Sequence, residues 1–249
     1  MPFHFLHAGA TDVGLQRTHN EDAILLEPER GVFVICDGMG GHASGAVASQ
    51  LAVTTIGDSL GAGDVEVGPD APEPLVLAIL AANQAVYSRS QSDPQCHGMG
   101  TTVVGLRFAD DRVHVCHIGD SRIYLLRGGE LLQITRDHSL INLYADHPDL
   151  VGKLGPAHSN IIVRAVGLHE FVEVDHKVIT VEDGDLYLLC SDGLIDMTED
   201  WMVREMLTAG ETVDETVATL IRAANSNGGA DNVSVILVRA ESQSAPAGQ

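Results

Sequence analysis

The distribution of apolar and polar positions predicts a chain built mainly of short β-strands, with helical segments on either side of them. Continuous or alternating apolar runs recur through the middle and the end of the chain, and short runs of this kind are typical of strands. Residues 109–111 and 128–129 separate two pairs of these runs as tight turns, which predicts an antiparallel meander. The predicted strands cover residues 101–108, 113–118, 122–126, 131–135, 172–180, 185–190 and 233–238.

Two helices are predicted before these strands. Residues 43–60 are rich in small apolar side chains, and residues 74–90 start with Pro74, a residue favoured in the first turn of a helix. The intervening residues 61–72 are rich in Gly, Pro and Asp, and they predict a surface loop.

A third helix is predicted over residues 213–224, where apolar residues keep helical spacing. Thr212 and Glu215 have the spacing of a capping box, in which each side chain bonds the backbone N–H of the other residue. Helices that are segregated from antiparallel strands are typical of α+β folds. The sequence therefore predicts an α+β fold.

One domain is predicted over residues 1–241, since neither a repeat nor a linker divides the 249 residues. Residues 140–160 have little periodicity and several turns that contain His or Pro, so we predict an irregular flap there. Residues 242–249 are small and polar and contain Pro, which predicts a disordered tail.

The charge of the chain excludes several classes of partner. It carries 35 acidic and 14 basic side chains, for a net charge of −21, whereas nucleic acids and anionic lipids bind basic surfaces. The longest apolar run, residues 75–82, is far shorter than the roughly 20 residues of a transmembrane helix, and the N-terminus lacks a signal-peptide pattern. We therefore expect a cytoplasmic protein that binds neither nucleic acid nor membrane.

The cysteines agree with a reducing compartment. They lie far apart without C-x-x-C spacing, and three of them stand in apolar runs, where cysteine behaves as a small buried apolar residue. We expect no disulfide among Cys36, Cys96, Cys116 and Cys190.

Five aspartates share one kind of position, at the end of an apolar strand or beside the start of one. A single such Asp is as readily a turn former, but five strand ends can bring their carboxylates to one rim of a sheet. Converging carboxylates raise one another's pKa unless a cation is present, and hard divalent cations prefer carboxylate, carbonyl and water oxygens. The pattern therefore predicts a divalent-metal site formed by Asp22, Asp37, Asp120, Asp192 and Asp231.

These aspartates belong to six short motifs, which are RTHNED (17–22), DGMGGH (37–42), GMGTT (98–102), GDSR (119–122), SDG (191–193) and DNVS (231–234). Their order and spacing resemble the successive motifs of the PPM (type 2C) family of metal-dependent protein serine/threonine phosphatases, in its compact bacterial form. Any one motif is weak alone, but six in order are specific, and the match runs from about Gly9 to Arg239.

The resemblance implies a four-layer α-β-β-α sandwich of two antiparallel sheets flanked by helices, with a metal cluster at one end. By position, Asp37 would bridge two Mn²⁺ or Mg²⁺ ions. The carbonyl of Gly38 would bind one ion, and Asp192 and Asp231 would bind the other. Asp120 would form a third, weaker site together with Asp192.

The resemblance also implies a mechanism without a protein nucleophile, in which a metal-bridging hydroxide attacks the phosphate in line. Glu21 and Asp22 match positions that hold metal-bound waters. Arg17 matches an arginine that grips the phosphate, although charge balance beside an acidic cluster also explains an arginine there. His42 lies near the proposed general acid, a role that a metal-bound water could also fill.

The implied substrates are phosphoserine and phosphothreonine proteins, and the implied partner is a Hanks-type kinase whose phosphorylation a monomeric enzyme would reverse. The flap shows no matching motif, so substrate preference stays open. One alternative is a catalytically inactive module of the same fold that binds phosphoproteins. Aspartyl-phosphate phosphatases and calcium-loop proteins need loop motifs that this sequence lacks. Ordinary solvated side chains, rather than a zinc site, are expected for His147, His158, His169 and His176.

Overall fold

The computed structural model describes residues 3–40, 44–61, 72–144 and 161–243. Eleven strands and six helices follow one another along these residues. The strands are β1 (Phe3–Asp12), β2 (Asp22–Glu27), β3 (Val32–Met39), β4 (Gly100–Thr101), β5 (Val103–Ala109), β6 (Arg112–Ile118), β7 (Arg122–Arg127), β8 (Glu130–Gln133), β9 (Asp175–Thr180), β10 (Leu186–Cys190) and β11 (Val233–Ser242). The helices are α1 (Ser44–Gly61), α2 (Pro74–Ser92), α3 (Leu140–Leu143), α4 (Asp192–Ile195), α5 (Asp200–Thr208) and α6 (Val213–Ser226).

The strands form two antiparallel sheets. One sheet has the order β1-β11-β10-β7-β8, and the other has the order β2-β3-β5-β6-β9 with β4 paired to β3. Strand β11 is therefore an interior strand between β1 and β10, and β9 lies at an edge of its sheet. The predicted α+β fold with two antiparallel sheets is confirmed.

The alternation of side chains along the central strands produces the four layers. In β10, Tyr187 and Leu189 point into the core between the sheets, whereas Leu186, Leu188 and Cys190 pack under helices α5 and α6. Strand β3 divides its side chains in the same way, between the inter-sheet core and helices α1 and α2. Both faces of these strands are apolar because both faces are covered.

The predicted helices form with small changes at their ends. The helix predicted at 213–224 extends over Val213–Ser226, and the capping box of Thr212 and Glu215 is present, with both reciprocal bonds. No helix among the described residues is long and apolar enough to cross a lipid bilayer. All four cysteines are free and buried, as expected.

The predicted meander is wrong. Strands β5 and β6 pair with each other, and so do β7 and β8, but the two pairs belong to different sheets. The chain crosses from one sheet to the other between Ile118 and Arg122, at Gly119, whose φ of +105° lies outside the range of ordinary strand residues. The two tight turns form hairpins, as predicted. The segment between Ile118 and Arg122 resembles another tight turn in sequence, so the crossing between the sheets was not predicted.

Several element boundaries also differ from the predictions. The strand predicted at 101–108 is divided at Thr102, and the strand predicted at 172–180 begins at Asp175. Strand β1 and helix α5 were not predicted. Strand β11 runs to Ser242, which pairs with Phe3 and so takes one residue from the predicted tail. Residues 244–249 and residues 145–160 of the predicted flap lie outside the described residues.

Candidate metal centre

Two of the predicted ligands face each other across a strand pair. Asp22 is the first residue of β2, and in the antiparallel register it lies directly opposite Asp37 of β3. The charge of Asp22 also raises the pKa of Asp37. Opposed like charges destabilise a sheet, so this position needs a proton or a cation.

The ends of two further strands bring two more carboxylates to the same rim. Asp120 follows Gly119, where a Cβ atom would lie 2.6 Å from Cγ2 of Thr102 and a side chain is therefore excluded. Asp192 opens helix α4 two residues after the last residue of β10, and its charge raises the pKa of Asp37. Carboxylates that repel each other in a buried place need a proton or a cation.

The threonines of the GMGTT motif fix the backbone of Asp37. The Thr101 hydroxyl donates to the Asp37 carbonyl at 2.8 Å, and the Asp37 amide donates to the Thr102 hydroxyl at 3.1 Å. Thr102 Oγ1 lies 2.7 Å from Oγ of Ser121, the residue after Asp120. Two of the carboxylates are thus held relative to each other by a chain of buried hydroxyls.

The pKa values of the clustered carboxyl groups are raised, first because they are buried and then because they repel one another. Burial and the charges of Asp120 and Asp231 raise the pKa of Asp192 to about 7. Burial raises the pKa of Asp22 to about 6, although hydrogen bonds from two serines oppose the shift. Burial and nearby carboxylates raise the pKa of Asp120 to about 6 and that of Asp37 well above its usual range.

Two oxygens of this cluster are buried without any hydrogen-bond partner among the described residues: Oδ1 of Asp22 and Oδ1 of Asp120. A buried acceptor without a partner costs about 1–3 kcal/mol or more. Several carboxylates with raised pKa values and free lone pairs form the donor set that hard divalent cations prefer. The residues present therefore fit Mn²⁺ or Mg²⁺.

Gly38 is closely packed between helix α1 and the segment before β2. Its amide donates to the carbonyl of Glu21 at 3.1 Å. A Cβ atom on Gly38 would lie 2.1 Å from the carbonyl oxygen of Gly45, so no larger residue fits. The Glu21 carboxylate in turn lies against the start of α1, because a Cβ on Gly45 would meet its Oε2 at 2.4 Å.

Arg17 lies at the solvent-exposed edge of the carboxylate cluster. Its guanidinium forms an ion pair with Asp231, with 2.6 Å between Nη2 and Oδ2, and its side chain is half exposed. The other oxygen of Asp231 accepts the backbone N–H of Asn232 at 2.8 Å. A planar, accessible cation beside the acidic groups is the arrangement that would orient a phosphate.

The segment that carries Arg17 is held in place by the buried side chain of Asn232. Its Nδ2 donates to the carbonyls of Val13 and His19, each at 2.9 Å. Its Oδ1 accepts the backbone N–H of Glu21 at 2.8 Å. One side chain therefore connects β11 to both ends of the loop between β1 and β2.

Asn232→Ala is expected to lower the free energy of unfolding by about 2–4 kcal/mol, because three backbone groups lose their partner in a buried place. Asn227→Ala is the control, since Asn227 makes one exposed bond, to the Met197 carbonyl, and should change stability by less than about 1 kcal/mol. Urea denaturation of both variants checks the prediction. Equal stabilities of the two variants would contradict it.

Other positioning residues were also missed by the sequence analysis. Ser191 and Ser234 both donate to Oδ2 of Asp22, at 2.8 and 2.6 Å. Asp196 lies one helical turn after Asp192 and adds a further negative charge near the cluster. The signals were present, since both serines stand inside the motifs and Asp196 has the i, i+4 spacing from Asp192.

The structure brings most of the predicted site residues together. The predicted role of His42 is untested, because His42 lies outside the described residues. The side chains gathered in the acidic cluster are Asp22, Asp37, Asp120, Asp192 and Asp231, with Gly38 and Glu21 beside them and Arg17 at the edge.

Comparison with known proteins gives consistent results. A family model described as "Protein phosphatase 2C" matches residues 16–237. The serine/threonine protein phosphatase PstP of Mycobacterium tuberculosis is 40% identical over 237 residues, which are 93% of this chain and 44% of that protein. This chain therefore spans less than half of the length of that relative. Protein phosphatase PhpP of Streptococcus pneumoniae is 36% identical over 233 residues, with 92% of this chain and 94% of that protein covered.

A solved structure agrees with this result. The crystal structure of the catalytic domain of PstP in complex with two manganese ions superposes with a TM-score of 0.83 and 37% identity, covering 95% of this chain and 98% of that one.

Proposed function

The chain belongs to the protein phosphatase 2C family, and on this premise we propose that it is a metal-dependent phosphatase of phosphoserine and phosphothreonine in proteins. The family assignment made from the six motifs is thereby confirmed. The observation that supports the proposal best is the cluster of Asp22, Asp37, Asp120 and Asp192, with its raised pKa values and its two unpaired buried oxygens.

The proposed metal ligands follow the motifs. Asp37, the carbonyl of Gly38, Asp192 and Asp231 would hold two Mn²⁺ or Mg²⁺ ions, and Asp120 with Asp192 would hold a weaker third. Glu21 and Asp22 would act through water. When bound, such ions lower the pKa of water and offset negative charge on a phosphate.

The protein groups around this centre position and bind rather than attack. The hydroxyls of Ser191 and Ser234 both donate to Asp22, so they hold that carboxylate in place instead of acting as nucleophiles. Arg17 would bind two phosphate oxygens with its planar guanidinium, since it is exposed and its present partner, Asp231, is a proposed metal ligand. The proposed acid that protonates the leaving alkoxide is His42.

The proposed function is tested by following phosphate release from a phosphothreonine peptide in EDTA, in Mg²⁺ and in Mn²⁺. We expect turnover only with a divalent ion. A protein that binds the phosphopeptide but releases no phosphate with either ion would favour the alternative, an inactive phosphoprotein-binding module. Each aspartate that the motifs match is present, so nothing in the sequence favours that alternative.

Arg17→Ala is expected to raise KM about 10- to 100-fold with a smaller change in kcat, because the lost bidentate contact binds the phosphate in both ground and transition states. Arg17→Lys should recover part of the affinity for phosphate, since lysine keeps the positive charge but cannot make the bidentate contact of the guanidinium. Arg222→Ala, an exposed arginine on α6, is the charge-matched control. An unchanged KM in Arg17→Ala, or an equal effect in the control, would contradict the assignment.

The cellular setting is part of the same proposal. We propose a cytoplasmic monomer in one domain over residues 1–241 that reverses phosphorylation by a Hanks-type kinase. The four buried free thiols support a reducing compartment. Co-purification with a phosphorylated kinase domain and light scattering of the purified chain test the partner and the monomeric state.

A further inference from the structure

A second group of metal-ligating side chains lies at the edge strand of the six-stranded sheet, outside the acidic cluster. Glu73 directly precedes helix α2, His114 lies in β6, and His176 lies in β9. In the register of these strands, His114 pairs with Val178 and Cys116 pairs with His176. The two histidines are therefore diagonal neighbours on one face of the sheet.

The ligand atoms of these residues converge on one point. Nδ1 of His114 lies 2.8 Å from Oε2 of Glu73 and 3.1 Å from Nε2 of His176. One ligand atom of each of the three residues lies within 4.8 Å of the ligand atoms of the other two. Zn²⁺ binds nitrogen and oxygen at about 2.0–2.2 Å in a tetrahedral arrangement, which places neighbouring ligand atoms about 3.3 Å apart. The observed separations are close to this spacing.

The protons of these groups do not account for both short contacts. Nδ1 of His114 carries at most one proton, yet it lies within hydrogen-bonding distance of two atoms, Glu73 Oε2 and His176 Nε2. If that proton goes to Glu73, the two imidazole nitrogens face each other without a well-placed hydrogen between them. A cation at the centre would bind all three lone pairs at once.

Glu73 and His176 are in the protonation states of metal ligands, and an ion at Nδ1 of His114 would displace the proton that His114 donates to Glu73. Burial would raise the pKa of Glu73, but hydrogen bonds from Arg107 and His114 outweigh it and lower the pKa to about 2, so the carboxylate is ionised. Burial and the neighbouring His114 lower the pKa of His176, which favours the neutral imidazole. Metals bind these deprotonated forms.

We infer that Glu73, His114 and His176 form a binding site for a divalent transition-metal ion of the Zn²⁺ type, with water at the exposed fourth position. For His176 this replaces the expectation from sequence of an ordinary solvated side chain. Two imidazoles and one carboxylate favour Zn²⁺ over Mg²⁺ or Mn²⁺. The site shares no residue with the acidic cluster and does not depend on the proposed function. A bound ion would tie the start of α2 to strands β6 and β9.

Arg107 is the one cation in hydrogen-bonding contact with this site among the described residues. It bonds both oxygens of Glu73, through Nε to Oε1 and through Nη2 to Oε2 at 2.9 Å. Each carboxylate oxygen has two lone pairs, so Oε2 can accept this bond and still bind an ion. Arg107 therefore orients the carboxylate, while its charge lowers the affinity for a cation.

A similar trio of His117, His138 and Asp175 does not support the same inference. Nη1 of Arg164 lies 2.5 Å from Oδ1 of Asp175 and 3.2 Å from Nε2 of His138. Its guanidinium thus occupies the place between two of the three ligands. We assign no metal to this second trio.

The inference is tested by titrating the full chain with Zn²⁺ in saturating Mg²⁺, while ring-nitrogen NMR shifts of the histidines are recorded. We expect Nδ1 of His114 and Nε2 of His176 to shift on binding. His176→Ala, an exposed edge-strand change, should lower the Zn²⁺ affinity by about 100-fold or more, since even outer partners of a ligand are worth 10- to 100-fold. Glu73→Gln should weaken binding in the same direction.

His4→Ala is the matched control, because His4 is exposed in β1 and belongs to neither trio. It should leave the Zn²⁺ affinity unchanged. Equal affinity in His176→Ala and the control, or unshifted ring nitrogens of His114 and His176 at saturation, would overturn the inference. None of these readouts requires phosphatase activity, so failure of the proposed function would be recognised separately.

Discussion

Asp37→Asn is expected to abolish metal-dependent turnover and, in the same molecule, to raise the melting temperature of the metal-free protein. The proposed role of Asp37 is to bridge two ions, and loss of a group that stabilises charge by several kcal/mol should lower kcat by about 1,000-fold or more. Without metal, Asp37 is a buried acid surrounded by Asp22, Asp192 and Asp120. Asparagine removes the cost of protonating this carboxyl group, or of charging it beside other carboxylates in a poorly solvated place.

The two halves of this prediction are measured separately. Phosphate release in Mn²⁺ gives the loss of turnover, and thermal unfolding in EDTA gives the stability, for which a gain of about 1–3 kcal/mol is expected. Asp58→Asn on the exposed face of α1 is the charge-matched control, with a change of less than about 0.5 kcal/mol. A lower melting temperature of Asp37→Asn in EDTA would mean that Asp37 is held by stabilising contacts instead.

The metal-free protein is expected to lose stability as the pH rises from about 4 to about 7. The pKa values of Asp22 and Asp120 are about 6 and that of Asp192 is about 7 in the folded protein, against 3.8 for an unperturbed aspartate. The folded state therefore binds more protons than the unfolded state between these limits, and the free energy of unfolding falls with pH there. The combined loss is several kcal/mol, or on the order of 10 °C in melting temperature.

Two histidines change the free energy of unfolding in the opposite direction as the pH rises, so their effect must be distinguished from that of the carboxylates. Burial lowers the pKa of His117, and burial together with nearby positive charge lowers the pKa of His138 to about 4. Their contribution to stability is lost as the pH falls below about 6.5. Since neither belongs to the acidic cluster, the difference between melting temperatures in Mg²⁺ and in EDTA isolates the aspartates.

The difference between the melting temperatures in Mg²⁺ and in EDTA should be small at pH 5 and should grow to about 10 °C at pH 8, because protons and metal ions compete for the same oxygens. Differential scanning calorimetry over this range, with and without Mg²⁺, provides the measurement. A difference that stays constant from pH 5 to pH 8 would show that the cluster does not hold the ion. In Asp37→Asn the same difference should become much smaller.

The sequence revealed the acidic cluster because aspartates at strand ends are visible as a pattern. Asp37 directly follows an apolar run, Asp192 follows one after Ser191, and a strand that is buried along its length can expose only its ends. The groups that position them were harder to detect. Asn232, Ser191 and Ser234 look like ordinary polar residues beside strands. Their roles depend on partners more than 150 residues away, which are the backbone of Glu21 for Asn232 and the carboxylate of Asp22 for both serines.

Connections between sheets and strand register were the features that local pattern could not predict. The turn at Gly119 and the turn at Gly128 look alike in sequence, yet only the first carries the chain into the other sheet. The spacing of residues in the sequence likewise does not reveal that β6 pairs with β9. That pairing places His114 next to His176. These histidines look unrelated in the sequence because they are 62 positions apart.

The interior position of β11 has a consequence for how the protein forms during synthesis. Strand β1 pairs with β11, which begins at Val233, so the five-stranded sheet stays incomplete until that part of the chain has been made. Such distant pairing is slow and leaves unpaired strand edges exposed. Asp231 and Asn232 arrive with the same segment, and Asn232 then fixes the loop that carries Arg17. A nascent chain therefore cannot fix the loop that carries Arg17, the proposed phosphate-binding residue, before β11 is in place, and the proposed activity is expected only after that strand has joined the sheet.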